Sequence, residues 1–458
     1  MTGFEFLFGV LLAGSCAALA AMRNPGDQVK LVIVDPGHFH ATLIQREMYP
    51  WIAPRVSVYA PLSPELLDYM SRIALFNTRK ENPTRWELDV HTGPDFFDRL
   101  LAEHPGNVVM FAGRNRGKID RIARSIEAGF HVFADKPWII ASEDLPKLEQ
   151  ALDLAEQKGL AAYDIMTERF EITSILQREL VNSPEVFGRM VEGSAADPGI
   201  RARSVHHLMK LVAGVPIKRP AGFFDVKEYG EALADVGTHV ADLAQWTAFP
   251  DQPIDYRADL RVLDARHWPT VITRTQFQQV TGETDFTPAL APWVKDGHLE
   301  YYGNNFVHYT LRGIHVALDI LWNWEAKEGG DVYEAAFRGS RARAEIRQGR
   351  NENFRPELYL VANTPELAGE VFAALRRKVG EMQRAWPGLG MKVNGQEARI
   401  EIPEQFRVGH EAHFAQVFNR FAGYFRDPKS LPRWEKSCML AKYYVTTKGV
   451  ELSQQGRP

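Results

Sequence analysis

The stretch "GEALADVGTHVADLAQWTAF", Gly230 to Phe249, sets carboxylates and an imidazole at helical spacing. At about 100° per residue, Leu233, Val236, Val240 and Leu243 share one face, and Ala234, Gly237 and Ala241 form a second, small one. Asp235, His239, Asp242 and Trp246 line a third. A solvated polar stripe would show the same spacing, but such a stripe normally carries Lys, Glu or Arg. Ala232 to Phe249 contains none of these, so the helix is expected to be enclosed. An acid and an imidazole one turn apart can hold each other's protonation state, as general acid–base chemistry requires.

Other groups could join that pair. In "HVFADKPWII", Lys136 stands just past a short apolar run, and Pro137 confines its backbone to an extended shape. A desolvated ammonium there could orient or protonate a substrate oxygen, although a loop lysine before a proline explains the tripeptide equally well. In "IRARSVHHLMKLVAG", Ser204, His206, His207 and Lys210 cluster just before the Asp–His helix. They read either as substrate contacts or as an ordinary surface helix start. Arg169 in "MTERFE" reaches a substrate group or makes a structural ion pair. No His-x-x-x-His or Cys-rich spacing connects His38, His40, His206, His207 and His239, so no metal site is expected.

The elements that must position these residues fall into two patterns. From Gln28 to about Leu160, short runs such as "KLVIV", "RVSVYA", "NVVMFAG" and "FHVFAD" alternate with amphipathic helices. That alternation predicts a parallel sheet wound on both faces, with ligands beyond the carboxyl ends of its strands. From about Tyr163 to Phe249 the pattern reads as mostly helical. Alternating runs such as "HLEYYG" and "YEAAFRGSRARAEIRQG" then predict a large, mainly antiparallel open sheet. The expected fold class is therefore α/β: a Rossmann-like domain over 26–160, then an α+β substrate and oligomerisation domain over 161–458. A chain of 458 residues is too long for one ordinary core, which agrees.

The formal net charge of −4 leaves no basic surface for nucleic acid. Residues 1–25 include the uncharged run "FLFGVLLAGSCAALAAM", which reads as a signal peptide or membrane anchor. The protein is then exported, periplasmic or membrane-anchored; an uncleaved or misassigned start would leave it cytoplasmic. With Cys16 removed or lipidated only Cys438 remains, and no structural disulfide can form.

These stretches together resemble the glucose–fructose oxidoreductase and inositol dehydrogenase family (Gfo/Idh/MocA), specifically its exported branch with a distinctive oxidoreductase C-terminal domain. The family's Glu-Lys-Pro motif is similar to "ADKPW", with Asp135 for Glu, and its Asp-x-Gly-x-His-x-x-Asp motif matches "DVGTHVAD". Its Arg-Phe after the crossover resembles "MTERFE". The resemblance implies Lys136, Asp235 and His239 as the catalytic set, with His239 as general acid–base on a sugar hydroxyl. It implies NAD or NADP held by Asp35, Gly37, His38, Phe39, His40, Gly113, Arg114, Asn115, Asp135, Lys136 and Pro137. Arg169, Ser204, His206, His207 and Asp242 are the expected substrate contacts.

The first βα turn departs from the family. "VDPGHFHATLIQ" keeps only Gly37 of three fingerprint glycines and places Asp35 near an expected pyrophosphate. That charge needs an offset, and His38 and His40 are the nearby candidates. "DPGHFHA" resembles the turn of the exported branch, which marks a lineage-specific redesign. The expected function is hydride transfer to or from a hydroxyl carbon of a sugar, glycoside or cyclic polyol. The alternatives are a redox-neutral glycosidase or lyase using NAD, and a non-catalytic sugar-binding protein of the same fold. Expected partners are a small carbohydrate, a membrane through the N-terminal run, and a second copy through the second-domain sheet.

Overall fold

The computed structural model describes residues 28–212, 215–216, 218–326 and 329–455. The apolar N-terminal run lies outside the described residues. Among these, no helix is long and apolar enough to cross a membrane.

The chain forms two compact units, and it enters each more than once. The first comprises residues 28–138, Pro146–Thr167 and Gly409–Pro432; the second comprises Ile139–Leu145, Glu168–Val408 and residues 433–455. In the first unit, β1 (Leu31–Val34), β2 (Arg55–Ala60), β3 (Glu87–Thr92), β4 (Val108–Phe111), β5 (His131–Ala134) and β6 (Ala162–Asp164) form one sheet. Its order is β3-β2-β1-β4-β5-β6, and every neighbouring pair is parallel. Every residue of β1 and β4 is buried, as expected of parallel strands covered on both faces. Strand order reverses between β1 and β4, so the turns that follow them flank the switch point where such sheets take ligands. The helix His410–Arg426 completes this unit. Phe414, Phe418 and Phe421 recur at helical spacing, and their ring centroids lie 6.0, 5.4 and 4.8 Å from that of Phe133 in β5.

The second unit is built on a large sheet. Its spatial order is Leu260–Ile272, His298–Leu311, Ile314–Glu325, β7 (Ile200–Met209), Val332–Arg338, Ala342–Gln348, Glu357–Ala362, Glu397–Glu401 and Gly390–Asn394. All neighbours are antiparallel except β7 with Ile314–Glu325. The helices Val236–Ala248 and Arg433–Gln455 belong to the same unit. The second passes so close at Gly449 that a Cβ there would meet Leu233 at 2.6 Å and Val307 at 3.1 Å.

β7 corrects the helical reading of 163–249. Ile200, Ala202 and Ser204 are buried while Arg201 and Arg203 are exposed, which is the two-residue period of a strand. Ser204, His206 and His207 therefore stand mid-sheet and not at a helix start.

The turns after β1 and β4 pack backbone against backbone. The Gly37 and His38 amides both donate to the Ala112 carbonyl at 2.8 Å. Asp35 adopts a left-handed conformation (φ +46°), and a Cβ on Gly113 would sit 1.8 Å from its carbonyl oxygen. Because the obstacle is backbone, Gly113→Ala is expected to lower folding stability by about 2–3 kcal/mol, read as a reduced urea midpoint at unchanged m-value.

Candidate active site

The Asp–His helix begins at Val236, with Asp235 at its N-cap position making no side-chain cap bond. Asp235 and His239 are half-buried, whereas Val240 to Ala248 are all buried, so the enclosure read from the missing Lys, Glu and Arg is observed. The segment leading in is anchored by Asn305. Its Oδ1 accepts from the Leu233 amide at 2.9 Å, and its Nδ2 donates to buried Glu231 at 2.7 Å. Glu231 also accepts from Gln454 (3.1 Å) and pairs with His267 Nδ1 at 2.9 Å. Every contact here fixes where Asp235 leaves the loop.

One turn beyond His239, Asp242 closes a buried charge network. Arg169 donates to both of its carboxylate oxygens, at 2.5 and 2.6 Å, and Lys442 donates at 3.0 Å. Arg169 also donates to both oxygens of Glu435 at 2.9 Å. Two cations and two anions balance, and all four residues are at most 4% exposed. Burial would raise the Asp242 carboxyl, but the charges of Arg169 and Lys442 hold it down at about 2. Arg169 and Asp242, expected among the substrate contacts, thus sit in an ion-pair network that fixes the helix carrying His239.

A second polar cluster lies at β7. Asp331 is within 3.1 Å of His206 Nδ1 and of His207 Nδ1, and it also accepts from Lys210. Ser204 Oγ meets His206 Nε2 at 3.0 Å. Burial would raise the Asp331 carboxyl; its hydrogen bonds and the neighbouring positive charges override this and hold it far below its ordinary range. Sequence reading missed Arg219, which connects the two clusters. Its guanidinium donates to the carbonyls of Leu208 and His207 and lies over the rings of Phe223 and Trp322, at 5.0 and 4.8 Å. It interacts electrostatically with Tyr301, Asp235 and Asp331. Burial, with the charge of Asp235, pushes the Tyr301 hydroxyl up. His206 stacks on Trp322 at 4.9 Å. Neither the aromatic lining nor the approach of Arg219 to Asp235 is declared by the sequence pattern.

In the first unit the expected cofactor residues do come together at the strand ends. Asp35 is offset by Arg114 at 2.9 Å and Arg121 at 3.4 Å. The histidines expected in that role face Asp135 instead, because the turn carries them toward the end of β5: His38 lies 2.7 Å and His40 2.9 Å from its carboxylate. Phe39 is exposed, and Gly37, Gly113 and Lys136 are half-buried. Lys118, also missed, is buried and ties two loops. Its ammonium donates to Asn115 Oδ1 (2.6 Å) and to the carbonyls of Asp135 and Pro137 (3.0 Å each). The amide cradle of a usual phosphate turn is not presented, since Gly37 and His38 are bonded to Ala112 and the helix that follows, His40–Leu43, has four residues. An anionic group fits here through side chains: Arg114 keeps 38% of its side chain exposed, and Arg116 is exposed.

Asp242→Asn leaves two buried cations facing a neutral amide, and a loss of about 3–5 kcal/mol in urea unfolding at neutral pH is expected. The Asp242 pKa is lowered on folding, from 3.8 to about 2, so its contribution is present above 3.8 and fades as pH falls toward 2. The variant should lack that part of the acid sensitivity, measured as the change in urea midpoint across this window.

A family model described as "Putative oxidoreductase C terminal domain" matches residues 176–454. The crystal structure of a "putative oxidoreductase from Parabacteroides merdae ATCC 43184" is similar at 42% identity, covering 94% of this chain and 98% of that one, with a TM-score of 0.92. GenD2 from gentamicin A biosynthesis, in complex with NAD, shares the fold at 15% identity, 94% and 95% coverage and a TM-score of 0.56. KijD10, a 3-ketoreductase from Actinomadura kijaniata in complex with NADP and TDP-benzene, shares it at 14% identity, 91% and 95% coverage and a TM-score of 0.54. No curated protein matches the chain. The chain belongs to the oxidoreductase family defined by that C-terminal domain.

Proposed function

We propose that this oxidoreductase acts on a hydroxyl-bearing carbon of a sugar, glycoside or cyclic polyol and uses NAD or NADP. When bound, the nicotinamide supplies the hydride acceptor or donor. The observation that carries the reading is the Asp235–His239 pair, left half-buried at the start of a helix whose remainder is enclosed. Oxidising an alcohol to a carbonyl releases a proton from the hydroxyl oxygen, and His239 takes it as general base; in the reverse direction His239 returns it. Asp235 favours the resulting imidazolium by its charge. The family resemblance assigns an ammonium, Lys136, to the same class of reaction. Trp322, Phe223 and Tyr301 offer apolar faces of the kind that pack against a sugar ring, with Arg219 and His206 as hydrogen-bonding groups among them.

The nucleotide phosphates would be held by Arg114 and Arg116, in place of a glycine-rich amide cradle. GenD2 and KijD10, seen with NAD and NADP on the same fold, support the nicotinamide. The uncharged run Phe6–Met22 supports export or membrane attachment of the enzyme.

Denaturing the purified protein and identifying released nucleotide by mass spectrometry tests the cofactor; a screen of glycosides and polyols for a change in nicotinamide absorbance tests the reaction. We expect bound NAD or NADP and a net absorbance change. His239→Gln should lower kcat by about a hundred- to ten-thousand-fold while nucleotide content is unchanged. A protein without nucleotide and without a thermal shift in NAD or NADP would overturn the proposal, and product formed at constant absorbance would replace it with a redox-neutral cleavage.

A further inference from the structure

We propose that His38, His40 and Asp135 form a binding site for one divalent transition-metal ion of the zinc type. The inference rests on the first unit alone and is independent of the nicotinamide reading. His38 and His40 lie two residues apart in the turn after β1, and Asp135 follows β5 directly. One ligating atom from each, an imidazole nitrogen or a carboxylate oxygen, lies within 4.8 Å of the others.

The spacing is tight, and both imidazoles converge on one carboxylate. His38 Nδ1 is 2.7 Å from one Asp135 oxygen and His40 Nδ1 is 2.9 Å from the other. Even so, His38 Nδ1, His40 Nδ1 and Asp135 Oδ1 are buried atoms without a hydrogen-bond partner. That is how ligand atoms stand when they point at a common centre instead of at each other. Zinc bonds nitrogen and carboxylate oxygen at about 2.0–2.2 Å, so ligand atoms at right angles to tetrahedral angles around it sit about 2.8–3.6 Å apart. The observed separations, 2.7 and 2.9 Å, lie at or just below the short end of that range.

Two further features suit a metal. His40 and Asp135 are 2% and 4% exposed, so an ionised carboxylate here needs positive charge close by. The other ring nitrogen of His40 meets His410 Nε2 at 2.8 Å, which holds the ring with Nδ1 toward Asp135. Two imidazoles and a carboxylate favour zinc, iron, cobalt or nickel over the oxygen-seeking calcium and magnesium. The His38 side chain is 39% exposed, and on that side solvent or an anionic oxygen can complete the coordination.

The test uses the full chain purified without metal-affinity steps. Elemental analysis should find about one zinc or related ion per chain, and cobalt(II) added to the chelator-treated protein should give visible ligand-field bands that zinc abolishes. His38→Ala and Asp135→Asn should lose both the ion and the bands. His410→Gln, on the far side of His40 from Asp135, should weaken cobalt affinity by about 10–100-fold. Folding is checked by circular dichroism on the same samples. Folded wild-type protein with neither ion nor bands, or variants that keep them, would overturn the site. Nucleotide content is measured in parallel, so a metal without nicotinamide defeats the proposed function alone, and nicotinamide without a metal defeats only this inference.

Discussion

The ion pair between Arg169 and Asp242, closed by Lys442 and Glu435, governs the second unit. Four charges almost fully removed from water are tolerable only as a complete set, since each ion left alone would cost several kcal/mol in desolvation. The set therefore demands that three separate segments meet in one geometry: the loop at Arg169, the helix Val236–Ala248 and the helix Arg433–Gln455. His239 lies three residues before Asp242 on the helix so held. A buried network of this kind adds little net stability against an apolar core of equal volume, and its contribution is specificity of placement.

In the first unit the same need for charge balance is met differently. Asp35 stands where glycine is usual, and two arginines offset it. Asp135 stands where glutamate is usual, and two imidazoles converge on it. Lys118 ties the backbone of the β5 turn to the Asn115 side chain of the β4 turn. The replacements are mutually adjusted: the two arginines, the two histidines and the glycine at 113 each answer a demand created by another substitution. Within the turn itself Asp35 is paired twice and the Gly37 and His38 amides are bonded.

What the sequence makes legible is local. Four apolar runs and their alternation with helices predict the parallel sheet, because each run is short and continuous. The absence of Lys, Glu and Arg after Ala232 predicts the enclosed helix. Nonlocal pairings stay hidden. β7 was read as helical because its partners, Ile314–Glu325 and Val332–Arg338, lie far along the chain and nothing in "SVHHLMK" declares them. Arg114 is 79 residues from the Asp35 it neutralises. Histidine spacing alone gave no metal motif, since the third converging group is a carboxylate supplied by another strand end. Arg169 had been left between substrate contact and ion pair, and the ion pair is what the structure shows.

Isotope tracing tests the central claim most directly. A glycoside or polyol carrying deuterium at the carbon to be oxidised is turned over, and the nucleotide is recovered and weighed by mass spectrometry. Hydride transfer from a hydroxyl carbon predicts deuterium in the nicotinamide ring and slower turnover of the labelled substrate. Full retention of the label in the carbohydrate, with unchanged rate, would contradict it.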